Sequence, residues 1–221
     1  MDLMEAMRRR HSVRAYQDRP LGAAAAELQQ CIEQCNRESG LHIQLVQNEP
    51  KAFAGRMARY GHFSGVKNYI VLIGKKGEKL EEQCGYYGEK IVLRAQQLGL
   101  NTCWVALTYQ KIPEAFTVAA GEKLVLVIAV GYGVTEGAAH KSKSAGAVSH
   151  APADAPQWFR SGVEAALLAP TAVNQQKFSF SLTGPNRVSA KAGFGFYTKV
   201  DLGIAKYHFE LGAGTENFTW L

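Results

Sequence analysis

No stretch of this 221-residue chain approaches the roughly 20 consecutive apolar residues that a membrane-crossing helix needs. The opening residues, Met1-Asp2-Leu3-Met4-Glu5-Ala6-Met7, are acidic and amphipathic, unlike the start of a signal peptide. The expected location is therefore cytoplasmic, with no membrane partner. Cysteine is scarce too. Cys31, Cys35, Cys84 and Cys103 are too few for a disulfide scaffold, so reduced thiols are expected. Cys31 and Cys35 share a helix face with Leu28 and Ile32, which is core spacing, and no histidine stands at ligand spacing from them, so no metal site is expected.

Ready-made chemical signatures are missing as well. The chain has no Walker A or GxGxxG loop, no nucleophile elbow, no HExxH and no paired carboxylates. Gly131-Tyr132-Gly133 and Gly193-Phe194-Gly195-Phe196 read as turn or bulge positions. No internal repeat or heptad pattern is evident. An enzyme with this sequence must borrow its reactive chemistry from a cofactor.

What is present is enough for a core and for an anion. Hydrophobic residues make up 47% of the chain, and the length suits a single domain, 1–221. The net charge of +6 directs attention to anionic ligands, yet it is dispersed and not interleaved with aromatics as a single-strand nucleic-acid platform would be. The exception is Arg9-Arg10-His11-Ser12-Val13-Arg14-Ala15-Tyr16. Within six residues it offers three guanidinium groups, an imidazole and a hydroxyl, a donor set suited to phosphate. The same arginines also suit the solvated, dipole-complementing end of a helix.

Apolar periodicity predicts helices over 3–10, 21–39, 52–59, 80–98, 113–119 and 158–168. A last helix is expected to be capped by Asp201 and to carry Leu202, Ala205 and Phe209. Strands are expected over 41–45, 68–73, 100–107, 178–182 and within 188–197. Leu124 to Val130 has the continuous apolar character of a central strand covered on both faces. Residues 134–156, rich in Ala, Gly, Ser, Lys and Pro, read as a linker or surface excursion. Phe218 and Trp220 of the tail must pack on something.

Four segments together resemble the FMN-dependent nitroreductase family. Arg10-His11-Ser12-Val13-Arg14-Ala15-Tyr16 is similar to its N-terminal phosphate motif. Leu98-Gly99-Leu100-Asn101-Thr102-Cys103-Trp104-Val105 resembles its Gly-Leu-Gly-Thr-Cys-Trp turn. Gly131-Tyr132-Gly133 leading to Lys141-Ser142-Lys143 resembles a strand-end glycine followed by a second basic clamp. Ala169-Pro170-Thr171-Ala172-Val173-Asn174-Gln175-Gln176 is similar to its Pro-Ser-x-x-Asn-x-Gln segment. That last segment lies near the C-terminus here, as in one subgroup of the family. Thr171 replaces the usual Ser, Lys177 the usual Pro and Phe178 the usual Trp.

The resemblance implies an α+β fold, a three-layer α/β/α sandwich with a mainly antiparallel central sheet. It implies FMN, with Arg10, Ser12, Lys141 and Lys143 around the phosphate and His11 beside the ribityl or phosphate region. Arg14 is placed toward the pyrimidine edge, Asn174 and Gln176 hydrogen-bond that edge, and the backbone of Val105 and Ala106 approaches N5. It further implies a homodimer whose asparagine segment crosses the interface, accounting for the apolar tail and exposed-looking aromatics. The implied reaction passes hydride from NAD(P)H through flavin to a small acceptor such as a nitroaromatic or quinone, with no catalytic side chain demanded. Competing readings are a flavin-binding protein without turnover, a basic nucleic-acid-binding module using Arg8 to Arg14, and the same scaffold turned to flavin destruction or dehalogenation.

Overall fold

The computed structural model describes residues 1–221. In chain order the elements are α1 (Leu3–Arg9), α2 (Ala23–Ser39), β1 (Gln44–Val46), α3 (Arg56–Tyr60), β2 (Tyr69–Lys75), α4 (Leu80–Gln97), β3 (Asn101–Val105), β4 (Glu122–Gly131), β5 (Ser149–His150), α5 (Gln157–Ala166), β6 (Phe178–Gly184), β7 (Arg187–Ala192), α6 (Thr198–Ala213) and β8 (Thr219–Trp220). No helix is long and apolar enough to cross a membrane.

The main sheet is antiparallel throughout, in the order β1-β2-β4-β3. Its interior strands are apolar over residues 69–74 and 124–131, where both faces are covered. Ile70, Leu72, Leu126, Ile128 and Val130 face the core with α2 and α4, while Tyr69, Val71, Ile73, Val127 and Ala129 face Phe53, Ala58, Phe63 and Val66. The expected α+β class and antiparallel central sheet hold. A second sheet joins it, in the order β5-β6-β7-β8, with β6 and β7 forming an antiparallel hairpin flanked by parallel partners. Helices α4 and α6 pack on each other between the sheets, α4 against the first and α6 against the second.

This arrangement corrects the expectation that the chain has no repeat. Apart from α3, inserted between β1 and β2, the succession α2-β1-β2-α4-β3 recurs as α5-β6-β7-α6-β8. From the second strand onward the copies keep a constant spacing of 118 residues: β2 begins at Tyr69 and β7 at Arg187, α4 at Leu80 and α6 at Thr198, β3 at Asn101 and β8 at Thr219. The contact between α4 and α6 is reciprocal at the same spacing. A Cβ on Gly85 would collide with the Val200 carbonyl and crowd the Ile204 amide. One on Gly203 would collide with the Glu82 carbonyl and crowd the Tyr86 amide. Only glycine allows two helix backbones to approach so closely. The repeat escapes the sequence because few side chains are shared, and because a segment carrying α3 separates β1 from β2 whereas a tight turn joins β6 to β7.

Other departures have local causes. The strand expected over 41–45 shifts to Gln44–Val46 because the Asn36 side chain occupies the backbone of Ile43, accepting from its N–H at 2.8 Å and donating to its carbonyl at 2.9 Å. The helix expected over 52–59 breaks at Gly55 into a short 3-10 turn, Lys51–Phe53, and α3. Helix 113–119 shrinks to one 3-10 turn, Pro113–Ala115, because Gln44 brackets the backbone of Thr117 at 2.8 and 3.0 Å. Segment 134–156 is a structured crossover that contributes β5 and buries Val148. Asp201 does not cap α6; Tyr197 stands at that position, with φ 58°. The tail packs within the chain: Phe218 stacks on Trp158 at 5.7 Å between ring centroids and meets Phe209 edge-on at 5.2 Å.

Candidate cofactor cavity

The basic motif is held extended by three neighbours. Helix α1 ends at Arg9, and beyond it Ser12 bridges Thr102 of β3, Ala15 bridges Ser64 and Tyr16 bridges Gly133. The Tyr16 hydroxyl donates to the Val13 carbonyl at 2.7 Å and locks the bend. Extended backbone alternates its side chains, so Val13 enters the core while Ser12 and Arg14 point the other way, into a cavity.

That cavity, of about 250 Å³, lies between the two halves of the repeat. One wall comes from the first half: Cys103, Trp104, Val105, Ala106 and Leu107 at the end of β3. The opposite wall comes from the second half: Pro170, Thr171, Ala172 and Val173, with Phe196, Tyr197, Val200, Asp201 and Ile204 of the α6 entry. Arg14 and Asp201 are its charged lining residues. Leu107, Val173 and Phe196 stand exposed at its rim. Such a slot, apolar with a few convergent polar groups, is the usual form of a small-molecule site.

Arg10 lies behind Ser12 with only 3% of its surface exposed. Its Nε sits 3.7 Å from Glu89 Oε1, too far for a hydrogen bond, and its buried Nε and Nη1 have no partner at all. Burial pulls its pKa down, opposed by the charge of Glu89 and by the Cys103 thiol. Glu89 is itself fully buried, accepting from Trp104 Nε1 at 3.1 Å and lying 2.9 Å from His208 Nε2. This network joins α1, α4, β3 and α6 under the cavity floor. His11 is half-buried against Gly137, and its pKa is lowered by burial and then by the charge of Arg10. Burial also raises the Cys103 thiol, against the pull of Arg14 and a hydrogen bond with Ser12.

Four residues assigned to the cofactor by resemblance meet each other instead of lining the cavity. Gln176 is buried; its Oε1 accepts from the Lys143 amide at 2.8 Å, and its Nε2 donates to the Lys141 carbonyl at 3.0 Å and to Asn174 Oδ1 at 2.8 Å. Asn174 Nδ2 donates to the Lys141 carbonyl at 2.9 Å. Lys143 Nζ donates to the carbonyls of Gln175 and Gln176 at 2.9 and 3.0 Å. The result is a clamp between loop 141–143 and turn 171–176, in which the Lys141 ammonium and the buried Gln175 Oε1 have no partner within the chain.

Sequence reasoning missed Asp201, Glu89 and His208. Each carried a signal, being an ionisable residue set into an otherwise apolar helix face. Asp201, 2% exposed, accepts from the Ala172 amide at 2.9 Å and from Gln175 Nε2 at 2.7 Å, and burial pushes its pKa up to about 6.

The residues present fit the FMN that the resemblance implies. Ser12 and Arg14 bring a hydroxyl and a cation into the cavity, and Arg10, outside its lining, offers buried donors without acceptors. Comparison with known proteins agrees on the fold. A family model described as "Putative TM nitroreductase" matches residues 2–213. Among solved structures, a putative nitroreductase from Thermotoga maritima shares 23% identity, covering 96% of this chain and 83% of its own, with a TM-score of 0.68. A putative NADH dehydrogenase/NAD(P)H nitroreductase from Bacteroides thetaiotaomicron shares 16% identity over 67% of this chain and 96% of its own, with a TM-score of 0.50. No curated protein matches.

Proposed function

This chain belongs to the putative TM nitroreductase family, and from that premise we propose that it is a flavin oxidoreductase that binds FMN, takes electrons from NAD(P)H and delivers them to a small acceptor such as a nitroaromatic or quinone. The observation that carries the reading is the Arg10 guanidinium, two residues before the cavity-lining Ser12 and buried with two donors left without acceptors. A buried donor without a partner is costly, and an anionic oxygen is the group that relieves it.

In this reading Arg10, Ser12 and the Lys141 ammonium hold the phosphate, with His11 alongside. Arg14 faces the pyrimidine edge, where a fixed positive charge stabilises developing negative charge. The Val105 and Ala106 backbone forms one face of the slot, and Thr171 to Val173 forms the other. Asn174, Gln176 and Lys143 serve at one remove, through the clamp that fixes Lys141 and the turn. When bound, FMN supplies hydride and electron transfer, so the chain need provide no acid, base or nucleophile. The segments lining the cavity come from both halves of one chain, and the homodimer that the resemblance implies is a further part of this proposal. Arg10 is buried and so offers no charge to a nucleic-acid groove.

The test is spectroscopic. Freshly purified protein, or protein mixed with FMN and desalted, should be yellow and release FMN of the correct mass. Anaerobic NADH or NADPH should bleach it, and added quinone should restore the colour. A colourless protein that takes up no FMN defeats the proposal, and flavin absorbance that never bleaches leaves a binder without turnover.

A further inference from the structure

We propose that Asp201 is the positioning residue of this cavity: its carboxylate holds the Thr171–Gln176 turn in a conformation its own backbone disfavours, and so shapes the wall that a bound flavin meets. The inference rests on the flavin reading above. The turn contains no glycine, yet Val173, Asn174 and Gln176 have φ values of 45°, 54° and 44°. Asparagine tolerates the left-handed region; a β-branched valine is an outlier there and persists only where surroundings over-determine it.

The turn is held from two sides: the clamp to Lys141 and Lys143 takes Asn174 and Gln176, and one carboxylate brackets Val173. Asp201 Oδ1 accepts the Ala172 amide, and Oδ2 accepts Gln175 Nε2. The same Gln175 Nε2 donates at 2.9 Å to the Phe196 carbonyl. Asp201 therefore ties together the turn that carries Thr171 to Val173 and the loop that brings in Phe196 and Tyr197, both parts of the cavity wall. An asparagine could accept only through its single oxygen.

No cation pairs with Asp201. Arg14 is the only other charged residue lining the cavity, Cys103 and Tyr197 are its other titratable groups, and α4 presents the backbone around Gly85 to the first turn of α6. Burial, opposed by the two hydrogen bonds, accounts for the raised pKa. Keeping a desolvated, unpaired carboxylate is unfavourable for folding, which marks Asp201 as serving the site and not the stability of the fold.

The experiment compares wild type with Asp201→Asn, using FMN as the probe. At pH 8 the variant should bind FMN at least tenfold more weakly, while its cofactor-free melting temperature is not lowered. At pH 5 the ratio of the two affinities should collapse toward one, because the wild-type carboxyl is then protonated; titration of the FMN phosphate is common to both proteins and cancels. Binding within twofold of wild type at pH 8, or a ratio independent of pH, overturns the proposal. Gln175→Leu removes one of the two bonds and should weaken FMN binding several-fold, so it decides the matter if Asp201→Asn does not fold; unchanged binding overturns the proposal. Should wild type itself bind no FMN, the flavin reading falls. Hydrogen exchange at the Ala172 amide then judges the latch alone: faster exchange in Asp201→Asn supports it, and unchanged exchange overturns it.

Discussion

Arg10 and Asp201 show what one buried charge can do on either side of the same cavity. Arg10→Ala removes the phosphate partner and leaves Glu89 buried beside His208 and Trp104 without its arginine. FMN affinity should fall by about 2–5 kcal/mol, measured by fluorescence titration, as for other buried charge pairs that lose one member. Unchanged affinity would return Arg10 to a structural role. Asp201 carries a stability prediction with a definite sign. Its carboxyl rises from 3.8 to about 6 on folding, so the native state holds the proton more tightly than the unfolded chain. This residue's contribution is thus present below about pH 4 and lost as pH rises through 6. Two units correspond to about 3 kcal/mol. Urea unfolding should show that Asp201→Asn abolishes this part of the pH dependence and leaves the chain no less stable at pH 8.

At the scale of elements, the α4–α6 contact is the least forgiving feature of the fold. Gly85→Ala or Gly203→Ala puts a methyl into the opposite helix backbone, and each should cost about 3 kcal/mol in chemical denaturation, at the upper end of overpacking effects. The strained turn predicts the reverse. Val173→Gly relieves a β-branched residue at φ 45° and should stabilise the chain by about 1 kcal/mol, read as a higher urea midpoint. Regular elements were legible in the sequence where burial imposes a period: Leu80 to Leu98 and Leu124 to Val130 lie where their apolar spacing puts them. Elements governed by a single side chain were not. Asn36 and Gln44 each take over a peptide group that periodicity assigned to a strand or helix, and no local pattern announces such a bond.

For the whole molecule, family likeness and the repeat convey different things. The motifs around Arg10, Trp104 and Asn174 lie in segments whose residues Ser12, Arg14, Trp104 and Thr171 to Val173 line the cavity. They did not reveal how the gathering is done. Ser12, Arg14, Val105 and Ala106 line the slot, whereas Lys143, Asn174 and Gln176 hold one another and steer it from outside. Division of the walls between the two halves of one chain became visible only through the 118-residue correspondence of α4 with α6. The central claim is that these halves close on one flavin. Native mass spectrometry of the FMN-loaded protein tests it most directly: the account predicts one FMN for each 24.1 kDa chain. A chain that stays flavin-free in excess FMN, or one flavin shared between two chains, would contradict it.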